Sequence, residues 1–131
     1  MIKNVSVIGA GTMGNGIAHV FAQYGFEVRL IDISQTQLEK AKATISKNLD
    51  RQVSKALITT ADAAATLQRI QLDTVLANGV QQADLVVEAA TENIELKLSI
   101  FKQMDAAAPA HAILATNTSS ISITKIAAAT Q

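Results

Sequence analysis

Within "SVIGAGTMGNGIA", residues 6–18, four glycines fall where a short apolar run gives way to a helical pattern. Gly9, Gly11 and Gly14 form G-x-G-x-x-G, and Gly16 follows. This spacing constrains the fold more than any other feature of the chain. The first glycine lets a strand turn sharply and the second leaves the backbone bare for a close approach. The third lets the following helix lie against the strand. A short strand, a tight turn and a helix are therefore expected at the N-terminus, with the free N–H groups of the helix facing a phosphate-like anion.

The remaining pattern alternates apolar runs with helical periods, as in a parallel sheet covered by crossover helices. Strands are expected at Lys3–Ile8, Glu27–Ile31, Ile70–Leu72, Asp84–Ala89 and Ala112–Thr116. Helices are expected from Met13 to Tyr24, from an S-x-x-Q capping box at Ser34 and Gln37 to about Leu57, and over Thr60–Gln68, Asn93–Met104 and Ser122–Ala129. Gly25 suits a left-handed helix stop. The expected fold class is α/β, a Rossmann-type doubly wound parallel sheet of about five strands in the order 3-2-1-4-5, with residues 1–131 as one domain.

Composition removes other classes. Lys plus Arg equals Asp plus Glu at 11 each, so no global basic charge suggests nucleic acid. Without cysteine there are no disulfides or thiolate metal sites. The apolar run in "MIKNVSVIG" is too short for a signal peptide or a membrane span, and a cytoplasmic protein is expected.

Asp32, 18 residues after Gly14, ends the second strand where a carboxylate can accept hydrogen bonds from the adenosine ribose hydroxyls. A 2′-phosphate would meet that charge, and "DISQTQ" holds no Arg to offset it, so NAD is preferred over NADP. On the long second helix Lys40, Lys47, Arg51 and Lys55 project within about 80° of one another, opposite Leu38, Ile45 and Leu49. Such a stripe is either a solvated face or a dock for the phosphates of a second ligand. His19 and His111 lack a carboxylate or Ser partner at a telling spacing. Glu92, Lys97 and "TNTSS" (residues 116–120) gather at the ligand-binding edge of the sheet, where a polar capping loop would look the same.

Three segments in this order, "VIGAGTMGNGIA", "DLVVEAATENIELK" and "ATNTSSISIT", resemble the N-terminal domain of the 3-hydroxyacyl-CoA dehydrogenases, the bacterial 3-hydroxybutyryl-CoA enzymes above all. The resemblance covers essentially the whole chain. It implies that Gly9, Ala10, Gly11, Thr12, Met13 and Gly14 hold the NAD pyrophosphate and Asp32 the adenosine ribose. Glu92 and Lys97 then contact the nicotinamide side, and Ser119, with Asn117 beside it, lies near the nicotinamide and the substrate hydroxyl. Lys55 matches a lysine that contacts coenzyme A. Asn48 stands where relatives can have a CoA-contacting serine, and its amide can still donate a hydrogen bond.

The family's general base, a histidine paired with a glutamate in an "HFFNP"-type segment, has no match in these 131 residues, and neither does the helical C-terminal domain that closes the cleft. The implied function is the NAD-binding part of an enzyme interconverting L-3-hydroxyacyl-CoA and 3-oxoacyl-CoA, inactive by itself. The alternatives are a non-catalytic protein keeping the nucleotide fold, as lens lambda-crystallin does, or a related sugar-acid dehydrogenase. An acyl-CoA is the expected partner, with no nucleic acid, no membrane and no metal. A homo-oligomer is expected through the unprotected edge of the fifth strand.

Overall fold

The structure, a computed structural model, describes residues 2–89 and 94–116, with side chains at all of these except 94, 96, 97 and 116. Ten elements follow in order: β1 (Asn4–Ile8), α1 (Thr12–Gln23), β2 (Glu27–Ile31), α2 (Gln35–Ser54), α3 (Thr60–Gln68), β3 (Ile70–Asp73), α4 (Leu76–Val80), β4 (Leu85–Glu88), α5 (Ile94–Ala107) and β5 (Ile113–Thr116). The five strands form one parallel sheet in the order β3-β2-β1-β4-β5. The expected sheet is therefore present, and the expected helix over Ser122–Ala129 lies outside the described residues.

Alternation along the strands builds a core on each face. Val5 and Val7 of β1, with Val28 and Leu30 of β2, pack beneath Ala18 and Ala22 of α1 and Leu38, Ala41, Ile45 and Leu49 of α2. On the opposite face Ile8 and Ile31 meet Val80, Ile100, Phe101 and Met104. Between those apolar positions Ser6 is buried, and its hydroxyl donates to the Gly79 carbonyl at 2.6 Å. The short α4 was not expected, because "LANGV" has one turn of helix and an Asn-Gly pair that reads as a loop. Gly79 lets it lie against the sheet: a Cβ there would stand 2.4 Å from Ile31 Cδ1.

Two boundaries differ from the sequence reading for identifiable reasons. The second helix stops at Ser54 rather than near Leu57, because Ala56 takes a left-handed conformation (φ 59°). Ala56 and Leu57 then donate back to the carbonyls of Val53 and Gln52, a Schellman closure normally given to glycine. At Ser34 only half of the capping box forms. The Ser34 hydroxyl accepts from Gln37 N at 3.2 Å, but the Ser34 N–H goes to Asp32 Oδ1 at 2.9 Å. The reciprocal box forms instead between Thr59 and Asp62.

Among the described residues β5 is a sheet edge, and Ile113 on it is exposed. Its N-terminal end is tied to Asp84, whose carboxylate also accepts from the backbone N–H groups of Lys3 and Asn4, at 2.9 Å each. The Asp84 carbonyl accepts from Ile113 N. No described helix is long and apolar enough to cross a membrane.

Candidate functional site

The strand order reverses direction at β1, which has β2 on one side and β4 on the other. The helices after those strands leave to opposite faces, so a crevice opens at the carboxyl end of β1. The glycine turn occupies it. Gly9 donates to the Ile31 carbonyl at 2.7 Å with φ at 106°, a conformation open to glycine and strongly disfavoured for any side chain. Gly14, in the first turn of α1, could not carry a Cβ, which would fall 1.6 Å from the Gly9 carbonyl oxygen. Gly11 differs from both: a Cβ there would meet nothing within 4 Å. The backbone at Gly11 therefore faces open space. Gly11 is also the N-cap of α1 and offers no side chain to it, so the first-turn N–H groups of Thr12, Met13 and Gly14 stay available to an anion.

Asp32 lies against this turn, partly buried. Its Oδ2 accepts from Ala10 N and its Oδ1 from Ser34 N, at 2.9 Å each. A carboxylate offers about four acceptor directions, so two remain for ribose hydroxyls while the other two brace the turn. This bracing role was not visible in the sequence. Together the open backbone at Gly11, the uncapped helix and the spare capacity of Asp32 fit a dinucleotide.

From the turn a cleft of about 380 Å³ runs between α1 and α2. Gly11, Thr12 and Gly16 line one wall, and Lys40, Thr44 and Asn48 line the other. Lys40 was read only as part of the basic stripe, and the structure adds that it shares a cleft with the glycine turn. Its place eight residues after Asp32, on a helix starting at once, was the available signal. Farther along, Lys47, Arg51 and Lys55 are exposed, and none of the four cations is in an ion pair among the described residues. The seam between the two helices is polar. Asn15 Nδ2 donates to the Ala41 carbonyl at 3.4 Å, and Gln23 Nε2 donates to Gln52 Oε1 at 2.7 Å.

Neither histidine reaches this site. His19 Nε2 pairs with Gln23 Oε1 at 2.8 Å inside the seam. His111 Nε2 meets Asp84 Oδ1 at 2.8 Å, at the amino-terminal edge of the sheet, opposite the crevice. The hydrogen bonds from Asn4 N and Lys3 N, then that from His111, hold the Asp84 carboxyl well below its ordinary range. Lys97 falls near the start of α5, where its side chain is outside the described set, and Glu92, Asn117 and Ser119 lie outside the described residues. Among the described residues no cluster of metal-ligating groups occurs.

Comparison with known proteins agrees with this geometry. Residues 4–131 match the family model described as 3-hydroxyacyl-CoA dehydrogenase, NAD binding domain. The 3-hydroxybutyryl-CoA dehydrogenase of Bradyrhizobium diazoefficiens is 49% identical over 130 residues, covering 99% of this chain and 44% of that protein. The crystal structure of (S)-3-hydroxybutyryl-CoA dehydrogenase from Ralstonia eutropha superposes with a TM-score of 0.95 at 47% identity, over 99% of this chain and 46% of that one. That of 3-hydroxybutyryl-CoA dehydrogenase from Escherichia coli gives 0.97 at 42% identity, over 100% of this chain and 28% of that one. The chain thus spans less than half the length of each of these relatives. It belongs to the 3-hydroxyacyl-CoA dehydrogenase family and carries that family's NAD-binding domain.

Proposed function

We propose that this chain is the cofactor-binding part of a cytoplasmic L-3-hydroxyacyl-CoA dehydrogenase, acting on a short acyl-CoA such as 3-hydroxybutyryl-CoA. Residues 1–131 form the NAD domain, and a helical substrate domain belongs to the longer polypeptide. The observation that carries this reading is the cleft joining the glycine turn to Lys40 and Asn48 of α2, with the unpaired Lys47, Arg51 and Lys55 exposed on the same helix. One end suits a dinucleotide pyrophosphate, and the other suits the phosphates of coenzyme A.

Bound NAD supplies the two-electron oxidation of a secondary alcohol to a ketone, or its reverse. The work of this chain is alignment. Gly9 fixes the turn, Gly11 and the first-turn N–H groups of Thr12, Met13 and Gly14 hold the pyrophosphate, and Asp32, through its hold on Ala10, keeps the turn and the ribose in register. Glu92 and Lys97 attend the nicotinamide, and Asn117 and Ser119 orient the reacting hydroxyl. Asn48 and Lys55 anchor coenzyme A away from the chemistry, so that remote binding energy positions the acyl end.

Calorimetric titration of the chain with NADH and with CoA tests the reading. Both should bind, and Lys55→Ala should weaken CoA about fivefold or more, through loss of a charge-assisted contact, while leaving NADH unchanged. Absence of CoA binding, or an equal loss for both ligands, would remove α2 from the substrate role.

A further inference from the structure

Among the described residues, one side chain lining the cleft between α1 and α2 is charged: Lys40. Two of its polar neighbours are committed to the helices themselves. Thr44 Oγ1 donates to the Lys40 carbonyl at 3.0 Å, and Asn15 Nδ2, on the facing wall, donates to the Ala41 carbonyl. The Lys40 ammonium has no such engagement. The positions three and four residues away on α2, where a carboxylate could pair with it, hold Thr36, Gln37, Ala43 and Thr44. Glu39, beside it in sequence, lines a different groove with Lys42, Leu67 and Leu72, toward α3 and β3. Asp32 gives its oxygens to Ala10 N and Ser34 N, and Lys40 is in no ion pair among the described residues.

This placement is unfavourable for the empty protein. Lys40 stands in the second turn of α2, whose first turn carries no acidic residue. It shares the cleft with Gly11 and Thr12 at the uncapped amino end of α1. Two helix amino ends and an ammonium group therefore add positive potential in one cleft, with no negative charge in its lining. An anion relieves such repulsion, and the glycine turn, read as the pyrophosphate site, brings one to the mouth of the same cleft. α2 starts three residues after Asp32, which takes the adenosine ribose, so the phosphate bonded to the adenosine is the nearer of the two. An ammonium on a flexible four-carbon stem suits that contact, because a point charge needs no fixed geometry.

We propose that Lys40 is a further cofactor-binding residue, whose ammonium group meets the adenosine-side phosphate of NAD. The inference rests on the glycine turn as the pyrophosphate site and adds a side-chain cation to what is otherwise a backbone cradle. The ligand-free fold is then less stable with the charge of Lys40 than without it, and cofactor binding relieves the difference.

NADH, NADPH, 5′-AMP and CoA are titrated by calorimetry into the chain and into Lys40→Gln, Lys40→Arg, Lys42→Gln and Gly11→Ala, and each protein is melted without ligand. Lys40→Gln should weaken NADH, NADPH and 5′-AMP by about three- to tenfold each, as loss of a partly exposed charge-assisted contact does. The ratio of NADH to NADPH affinity should stay as in the parent, because both carry the same pyrophosphate. Lys40→Arg should keep most of the affinity, and the loss in Lys40→Gln should shrink in about 0.5 M salt. Lys42→Gln removes the same charge from the side of α2 that faces α3 and should leave NADH within about twofold. Without ligand, Lys40→Gln should melt at or above the temperature of the parent. A lower ligand-free melting temperature, with an equal NADH loss in Lys40→Arg, would make Lys40 a structural prop and overturn the inference. A loss confined to NADPH would overturn it by placing the cation on a 2′-phosphate, and a loss larger for CoA than for NADH by giving it to the substrate. If Gly11→Ala binds NADH as the parent does, the glycine turn is not the pyrophosphate site and both readings fail. If Gly11→Ala loses NADH while Lys40→Gln keeps it, this inference alone falls.

Discussion

The glycine turn makes a prediction in which similar substitutions have opposite consequences. In Gly14→Ala the new methyl group starts 1.6 Å from the Gly9 carbonyl oxygen and 2.7 Å from its carbon, both rigid backbone atoms. Real contacts of this kind stop near 3.0 Å, so the first turn of α1 must move out by about 1.4 Å. Overpacking of this sort costs about 1–3 kcal/mol, and a domain of this size loses roughly 3–5 °C of Tm per kcal/mol. A fall of roughly 3–15 °C is expected. The same displacement carries the first-turn N–H groups beyond hydrogen-bonding range of a pyrophosphate. Losing one charge-assisted bond weakens NADH by roughly ten- to a hundredfold. Gly11→Ala adds the same atom where nothing lies within 4 Å, so Tm should hold while NADH binding falls, because the methyl group takes the cofactor's place. Gly16→Ala, in the interior of α1 and also unobstructed, should raise stability by about 0.5–1 kcal/mol. Thermal melts and NADH titrations of the three variants decide the matter. A Gly14→Ala protein that melts and binds like the parent would refute the packing argument, and a Gly11→Ala protein with full NADH affinity would show that the pyrophosphate lies elsewhere.

Asp32→Ala should weaken NADH by about 1–3 kcal/mol through lost charge-assisted acceptors, and it should erase the preference for NADH over NADPH in paired titrations; an unchanged preference would take Asp32 off the ribose. Asp84, whose carboxyl is depressed chiefly by the N–H groups of Asn4 and Lys3, should add stability that is fully present above its ordinary value of 3.8 and lost as pH falls below it. Denaturant melts should therefore show the gap between the parent and Asp84→Asn closing in acid, and a gap constant down to pH 2 would contradict the clamp. Because His19 and His111 are both engaged away from the crevice, these 131 residues should show negligible turnover of acetoacetyl-CoA with NADH, and a rate near that of the longer relatives would mean that the base had been misplaced. Light scattering across a concentration series should show self-association through β5, suppressed by a lysine at Ile113 on that exposed strand; a chain monomeric at high concentration would sink that idea.

What the sequence disclosed depended on how local each determinant is. The turn at Gly9 and the packing of Gly14 are set by backbone sterics within a six-residue window, so spacing alone located them. Strands buried on both faces, such as Val5–Ile8 and Leu85–Glu88, read as apolar runs for the same reason. The reading weakened where partners distant in sequence decide the outcome. Asp32 was visible as a carboxylate at the end of a strand, but its hold on Ala10 spans 22 residues, and its other oxygen, by accepting from Ser34 N, displaced the reciprocal half of the capping box expected there. The stop of α2 at Ala56 violates the glycine preference that would have announced it. Lys40 looked like one charge of a solvated stripe until the packing of α1 against α2 brought it to the wall of the cleft that opens from the glycine turn. A nucleotide-binding turn is written in a short word, whereas the cleft that opens from it is assembled from two helices that meet only on folding.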